Sequence, residues 1–175
     1  IFGTPTTINT ETFQNELFKK GVQEIRIISQ GCPDLASQIS NDPDSSFVEE
    51  RIRHWVQKAM QKLPEKYIDT LLIFLACTHY GYRQDLFQKA FNEEGFSNIT
   101  LLNPNLAAAE NLVKTVSNNL NPSSTESKAF SVEFVTPYAI PEQEIITLTQ
   151  LLSPISPATA DALKNARICP ELLNP

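Results

Sequence analysis

The chain has 175 residues, of which 41% are hydrophobic and 19% are charged, and its net charge at pH 7 is −6. A chain of this size and composition folds around a substantial core, which excludes wholesale disorder, a collagen-like structure and a mini-protein held by disulfides. A protein with this net negative charge has no positive electrostatic field that would attract a phosphate backbone. We therefore expect neither nucleic acid nor an anionic membrane as a partner. No stretch has the ~18 consecutive apolar residues of a membrane span.

The three cysteines, Cys32, Cys77 and Cys169, lie far apart and lack C-x-x-C spacing. With only two histidines in the chain, they do not form the pattern of a zinc site. The simplest interpretation of these scattered cysteines is that the protein works in a reducing compartment, where thiols stay free. The chain opens at Ile1 with neither an initiator methionine nor the pattern of a signal peptide, which favours a piece of a longer protein.

Short apolar runs alternate with helical patterns, the order typical of parallel strands joined by crossover helices. We therefore predict an α/β fold with a small open parallel sheet flanked by helices. A brief amino-terminal strand, a Thr-rich turn and a helix ending at Gly21 come first, and a second strand follows over Glu24 to Ser29. Ser46 and Glu49 have the spacing of a capping box and predict the start of a long helix that Pro64 ends.

The longest apolar run, Thr70 to Cys77, predicts a central strand buried on both faces. A helix that stops at Gly95, a strand over Ile99 to Leu102 and a further helix up to Leu120 follow it. These elements continue the alternation of strand and helix.

Composition changes after residue 120, because residues 121–128 are mostly Asn, Pro, Ser and Thr and form a linker. We predict a domain over 1–120, a linker over 121–128 and a carboxy-terminal segment over 129–175. The patterns in that segment predict a strand and two helices, over Val132 to Thr136, Glu142 to Leu152 and Pro157 to Ala166.

Ligands of open α/β sheets bind at the carboxyl ends of the strands, and two turns at such positions carry residues suited to chemistry. In the first turn, Thr4 and Thr7 place hydroxyls and backbone N–H groups ahead of a helix. These groups either bind a carboxylate or only cap the helix.

The second turn is Cys77-Thr78-His79. Residues two apart in extended chain project to the same side, so the Cys77 thiol and the His79 imidazole share one pocket while Thr78 turns away. A neighbouring imidazolium and the N-terminus of the next helix would lower the pKa of the thiol, making it a general base or a nucleophile. The alternative is an inert cysteine that packs at the end of a buried strand. Tyr80 and Tyr82 either line the pocket or pack.

The run Cys-Thr-His-Tyr at 77–80 resembles the C-T-H-Y motif of the glutamate/aspartate racemase superfamily, and above all that of the glutamate racemases. The turn at 3–8 is similar to the T-x-x-T turn that begins the second half of those enzymes. Gly31-Cys32-Pro33 resembles their C-P turn, and Asp69-Thr70-Leu71 their Asp-Thr-Leu. The order of these elements agrees across roughly the first 105 residues.

The resemblance implies one half of a pseudo-symmetric two-domain fold and a cofactor-independent reaction in which two cysteines flank the substrate α-carbon. One cysteine removes the α-proton and the other returns it from the opposite face. Cys77 matches the cysteine of the second half and His79 the histidine that assists it. Residues matching the positions that hold the substrate are Thr4, Thr7 and Thr78. No cofactor and no metal are implied.

The implied substrate is a small acidic amino acid, and the implied role is the supply of D-glutamate for cell-wall peptidoglycan in the cytoplasm. The implied partners are the missing N-terminal half of the racemase, on which residues 129–175 would pack, and a second copy in a homodimer. The chain alone is expected to be inactive.

The chain also departs from the family pattern. The upstream half with its D-S-G turn and C-N-T cysteine is absent, Ser40 stands about where the family has a glutamate, Gly81 replaces a proline and Asn103 replaces an aspartate. These departures keep two alternatives open: a catalytically degenerate small-ligand binding module, and a one-cysteine decarboxylase on the same scaffold. Cys32 is expected to be a structural turn cysteine, and Cys169 to be incidental.

Overall fold

The computed structural model describes residues 1–64, 70–119 and 131–173. The chain divides into two compact units, Ile1–Asn119 and Leu120–Pro175. The predicted linker at 121–128 and the Asp69 of the predicted Asp-Thr-Leu lie outside the described residues.

The first unit alternates strands and helices as the sequence predicts. Its strands are β1 Phe2–Gly3, β2 Gln30–Gly31, β3 Leu71–Phe74 and β4 Ile99–Leu102. Its helices are α1 Pro5–Asn9, α2 Thr12–Lys19, α3 Leu35–Asn41, α4 Ser46–Met60, α5 Gln84–Glu93 and α6 Pro104–Asn119. Two 3₁₀ helices cover Glu24–Arg26 and Thr78–Arg83.

All strand pairing in this unit is parallel, with β1 on β2 and β3 on β4. A bridge between Phe2 and Leu75 joins the two pairs, and the Ala76 N–H donates to the Phe2 carbonyl at 2.7 Å. The strand order is therefore β2, β1, β3, β4, and all four carboxyl ends lie on one edge. The predicted α/β fold with a small parallel sheet flanked by helices is confirmed.

The core lies where helices α3, α4 and α5 pack on one face of this sheet. Phe2 is 3% exposed, and its ring meets those of Phe87 and Phe91 edge to face at 5.4 and 5.9 Å. The predicted apolar stripe of α4 is buried through Val48, Ile52, Val56 and Ala59. These side chains recur every three or four residues, so one face of the helix carries them into the core.

The prediction of a strand over Thr70 to Cys77 that is buried on both faces is wrong in length and in burial. Only Leu71–Phe74 form a ladder, and Leu72 is 67% exposed whereas Ile73 is 5% exposed. Helices pack against the Ile73 side. On the Leu72 side, Phe13 of α2 reaches the Phe74 ring at 4.9 Å and leaves Leu72 open.

The strand predicted over Glu24 to Ser29 is also wrong, because Glu24–Arg26 form a 3₁₀ turn and β2 begins only at Gln30. β2 pairs with β1 over two residues, Gln30 with Phe2 and Gly31 with Gly3. The sequence analysis does not predict helix α3. Its two buried apolar residues, Leu35 and Ile39, form too short a pattern to indicate helical periodicity.

The capping box predicted for Ser46 and Glu49 does not form. Ser45 is the N-cap of α4, and its hydroxyl accepts the Val48 N–H at 3.3 Å. The Glu49 carboxylate accepts hydrogen bonds from Lys89 and Arg53 at 2.6 and 3.0 Å instead. Glu49 therefore ties α4 to α5.

The second unit holds a parallel strand pair and two helices. Its elements are β5 Val135–Thr136, α7 Glu142–Leu152, α8 Pro157–Lys164, β6 Arg167–Ile168 and a 3₁₀ helix at Pro170–Leu173. The strand β6, absent from the prediction, pairs with β5. Buried side chains include Ala160, Leu163 and Cys169, a small core for a unit of this size.

Several large apolar side chains of both units face solvent. On α6 these are Leu106, Leu112, Val113 and Val116, and in the second unit they include Phe134, Tyr138, Ile146 and Ile155.

Within the described ranges no helix combines the length and the apolarity needed to cross a membrane.

Replacing Phe87 by Ala tests the core of the first unit. The Phe87 side chain is fully buried between the rings of Phe2 and Tyr80, so we expect a loss of about 3–5 kcal/mol of unfolding free energy in urea. Phe47→Ala is the control, since that side chain is 53% exposed, and it should cost below about 0.5 kcal/mol. Equal costs for the two variants would contradict this packing.

Candidate active site

The carboxyl edge of the sheet gathers a polar or thiol residue after each strand. Thr4 follows β1, Cys32 follows β2, Cys77 comes three residues after β3, and Asn103 follows β4. The bond from the Ala76 N–H to the Phe2 carbonyl makes the turns after β1 and β3 neighbours. The two turns predicted from the sequence therefore share this edge.

The Cys77 Sγ lies 3.8 Å from the His79 Nδ1. Cys77 has extended backbone (φ −145°, ψ 133°), so the two side chains project to one side, as predicted. Both are half-buried, whereas Thr78 is exposed. The Tyr82 ring stands edge-on to the imidazole at 6.2 Å, so it borders the pair.

Burial raises the pKa of the Cys77 thiol, and hydrogen bonds from the backbone N–H groups of His79 and Tyr80 only partly oppose this effect. The predicted lowering of this pKa is therefore wrong for the chain as described. The segment that follows Cys77 is a 3₁₀ turn over Thr78–Arg83 rather than an α-helix. Its two N–H groups do not compensate for desolvation, so the thiol is protonated at neutral pH.

The Cys32 thiol belongs to the structure of the neighbouring turn, as expected. Its side chain is 1% exposed, and burial raises its pKa to about 12. Tyr80 is buried too, and its hydroxyl donates to the Cys32 carbonyl at 3.3 Å. Tyr80 thus packs and ties the two turns together. Cys169 is buried in the second unit.

The threonine turn caps a helix. Thr4 is the N-cap of α1, and its hydroxyl accepts the Thr7 N–H at 3.2 Å. The two hydroxyls bond each other at 2.9 Å. Capping is observed, and carboxylate binding by these threonines stays a prediction.

The positions that depart from the family pattern differ in setting. Ser40 is buried in α3 at 2% exposure. Gly81 and Asn103, in contrast, touch: a Cβ on Gly81 would lie 2.7 Å from the Asn103 Nδ2 and 2.9 Å from the Asn105 Nδ2. Asn105 is absent from the sequence-based site, since nothing in its local pattern distinguishes it.

Arg83 is a second residue that the sequence did not single out. Its guanidinium donates to the Pro43 carbonyl, to the Asp44 carboxylate at 2.8 Å and to Asp85 at 3.1 Å. It fastens the end of the Cys77 turn to the loop before α4.

In the part of the chain that the structure describes, no three His, Cys, Asp or Glu side chains cluster as metal ligands.

Known proteins share sequence with more than half of the chain. The chain is 33% identical over 109 residues to the glutamate racemase of Roseobacter denitrificans, an overlap that covers 61% of the chain and 38% of that protein. The chain is similar to glutamate racemases. Those of Dinoroseobacter shibae and a Ruegeria species are 29% and 28% identical over 94 residues, 54% of this chain and 32% and 33% of theirs.

The matched segments span about a third of the length of these glutamate racemases. No protein-family model matches the chain, and no solved structure does. The predicted resemblance to the racemase superfamily is confirmed by these relatives.

Alkylation with iodoacetamide, followed by peptide mass analysis, tests the reactivity of the thiols. We expect Cys77 to react faster than Cys32 and Cys169, which are 1% and 6% exposed. Because burial raises the pKa of Cys77, its rate should rise with pH and reach half its maximum above the ordinary value of about 8.5. His79→Asn should slow the reaction, since no imidazole remains to take the thiol proton. Equal, slow labelling of all three thiols would contradict a reactive Cys77.

Proposed function

We propose that the chain is the second half of a cofactor-independent racemase of a small acidic amino acid, in which Cys77 is one of two thiols at the substrate α-carbon. The observation that carries this is the Cys77 thiol 3.8 Å from the His79 imidazole, at the sheet edge that also holds the Thr4 turn. The similarity of the chain to glutamate racemases supports racemisation as the class of reaction. The three free cysteines suit a cytoplasmic setting, where thiols stay reduced.

Proton transfer within the Cys77–His79 pair starts the reaction. The thiol is protonated at rest, and the His79 Nδ1 is close enough to accept its proton, which leaves a thiolate and an imidazolium. The thiolate takes the α-proton of the substrate and becomes a thiol again, while the electron pair of the C–H bond stays on the substrate as a carbanion. A second thiol on the opposite face gives this carbanion a proton and completes the inversion.

The α-proton of an amino acid is weakly acidic, so the carbanion needs preorganised donors. We propose that Thr4, Thr7 and Thr78 hold the substrate's carboxylates and amino group. The Thr4 and Thr7 hydroxyls are fixed against each other at 2.9 Å, which orients them before substrate arrives. Thr78 is exposed beside the thiol pair.

The second thiol belongs to an upstream half in this proposal. The chain matches about a third of its relatives' length, and the exposed apolar side chains of the second unit include Phe134, Tyr138 and Ile155. We propose that residues 129–175, joined to the racemase-like domain over 1–120 by a linker at 121–128, pack on that upstream half and bury these side chains. A homodimer is part of the same proposal.

One observation favours a second candidate, a binding module that keeps the pocket but no longer catalyses. Burial holds the Cys77 thiol in its protonated form, and a protonated thiol is not a base. The upstream sequence discriminates between the two functions. A cysteine in a C-N-T or C-N-S turn there favours racemisation; without one, the binding module or a one-cysteine decarboxylase is favoured.

The isolated 175 residues should not interconvert D- and L-glutamate or D- and L-aspartate, whereas the complete protein with its upstream half should. Inversion by two bases requires a donor on each face of the α-carbon, and this chain assigns only Cys77. Chiral chromatography of the products measures both reactions. Interconversion by the isolated chain would contradict the two-base assignment, and failure of the complete protein would contradict racemisation.

Thr7→Val in the complete protein tests substrate binding by the threonine turn. Loss of a hydroxyl that binds a carboxylate costs roughly 1.5–3 kcal/mol, so KM for the acidic amino acid should rise about tenfold or more while the melting temperature changes little. Thr10→Val is the matched control, because the Thr10 hydroxyl donates to the Thr7 carbonyl at 3.0 Å and accepts the Thr12 hydroxyl at 3.4 Å, both on the exposed side of the turn. A lower melting temperature with unchanged kinetics would assign the threonines to capping alone.

A further inference from the structure

Three amide side chains, those of Gln84, Asn103 and Asn105, form a hydrogen-bonded cluster beside Gly81, in the turn that follows Cys77. The Asn103 Nδ2 donates to the Gln84 Oε1 at 3.1 Å, and the Asn103 Oδ1 accepts the Asn105 N–H at 3.1 Å. The Asn105 Nδ2 in turn donates to the Thr78 carbonyl at 2.9 Å. The cluster thus connects the start of α6 to the Thr78–His79 peptide.

Gly81 provides the space that this cluster occupies. An added Cβ would lie 2.7 and 2.8 Å from the Asn103 amide atoms and 2.9 Å from the Asn105 Nδ2, closer than atoms pack without moving. The glycines with positive φ are Gly21 and Gly95, so Gly81 has backbone that other residues also adopt. Its lack of a side chain therefore serves the amides and not the turn conformation.

The bond to the Thr78 carbonyl acts on Cys77 through one peptide plane. The Thr78 C=O and the His79 N–H belong to the same planar unit and point in opposite directions. The Asn105 amide holds the oxygen, so it also fixes the plane of the Thr78–His79 peptide, and His79 carries the imidazole whose Nδ1 lies 3.8 Å from the Cys77 Sγ. Asn105 can therefore act on the thiol pair through this peptide, without touching the sulfur itself.

We propose that Asn105, seated against Gly81 and held by Asn103, is a positioning residue that fixes the Thr78–His79 peptide and so keeps the His79 imidazole against the Cys77 thiol. The inference rests on the proposed function in taking Cys77 as the reactive group.

The titratable groups that face Cys77 from the described elements are His79 and Tyr80 of its own turn and Cys32 of the turn after β2. Burial raises the pKa of Tyr80 above its ordinary value and that of Cys32 to about 12. Both are neutral at neutral pH. The Arg83 guanidinium at the end of the turn is paired with Asp85. Cys32 and Tyr80 therefore do not contribute to a titration of Cys77 at neutral to mildly alkaline pH.

The test is the pH profile of Cys77 alkylation by iodoacetamide, followed on the peptide that carries Cys77 in the complete protein. In Asn105→Ala the inflection should move to higher pH by about one unit, which slows labelling about tenfold at neutral pH. Gly81→Ala should shift the profile in the same direction, because the new Cβ displaces the same amide. The double variant should shift little further than either single one, since both changes break one interaction.

Asn92→Ala is the matched control, because the Asn92 amide oxygen accepts a hydrogen bond from the Gln88 Nε2 at 3.1 Å within α5. Its profile should coincide with that of the wild type. Circular dichroism confirms that each variant is folded, and Gly81→Ala keeps Asn105 itself intact. If both Asn105→Ala and Gly81→Ala give the wild-type profile, the positioning role is overturned.

The inflection can be measured whether or not the protein racemises. A wild-type protein that does not racemise contradicts the proposed function, and a shift in the variants then still supports the positioning role. A racemising protein with unshifted variants contradicts the positioning role alone.

Discussion

One bridge holds the candidate site together. β1 and β3 touch through the Phe2–Leu75 bridge and the Ala76 N–H bond to the Phe2 carbonyl, and this contact joins the two strand pairs of the first unit. The Phe2 ring is buried against Phe87 and Phe91, so the bridge is anchored by the core. Because of this bridge, the threonine turn after β1 and the thiol turn after β3 lie side by side. Core packing and the proposed chemistry thus depend on the same residue.

The turn after Cys77 is held at several points along its length. The Tyr80 hydroxyl reaches the Cys32 carbonyl near the start, Asn105 holds the Thr78 carbonyl, and Arg83 fastens the end to the loop before α4. A half-buried thiol on a rigid turn keeps a fixed distance to its imidazole, which proton transfer requires. The same burial that fixes the thiol also raises its pKa, so it disfavours the thiolate. In the proposed racemase, His79 opposes this effect by accepting the thiol proton.

The sequence predicts the elements with strong periodicity and misses those fixed by tertiary contacts. The helices α4 and α5 stand where their apolar spacing places them, and alternation along extended chain predicts that Cys77 and His79 meet. The choice of Ser45 over Ser46 as N-cap of α4 is not decided by the local pattern, because two adjacent serines offer the same hydroxyl. The pKa of Cys77 depends on burial, which spacing does not give. Asn105 acts across 27 positions in sequence, on Thr78, so no local pattern identifies it.

The most direct measurement of the central claim is α-proton exchange in deuterated water, with D- and L-glutamate and D- and L-aspartate offered separately to the complete protein and to its Cys77→Ala variant. A base on one face of the α-carbon removes the proton of one enantiomer only. The account predicts that the wild-type protein exchanges both enantiomers of its substrate and that the variant loses exchange with one of them. Exchange of both enantiomers at the wild-type rate in Cys77→Ala would contradict a role for Cys77 at the α-carbon.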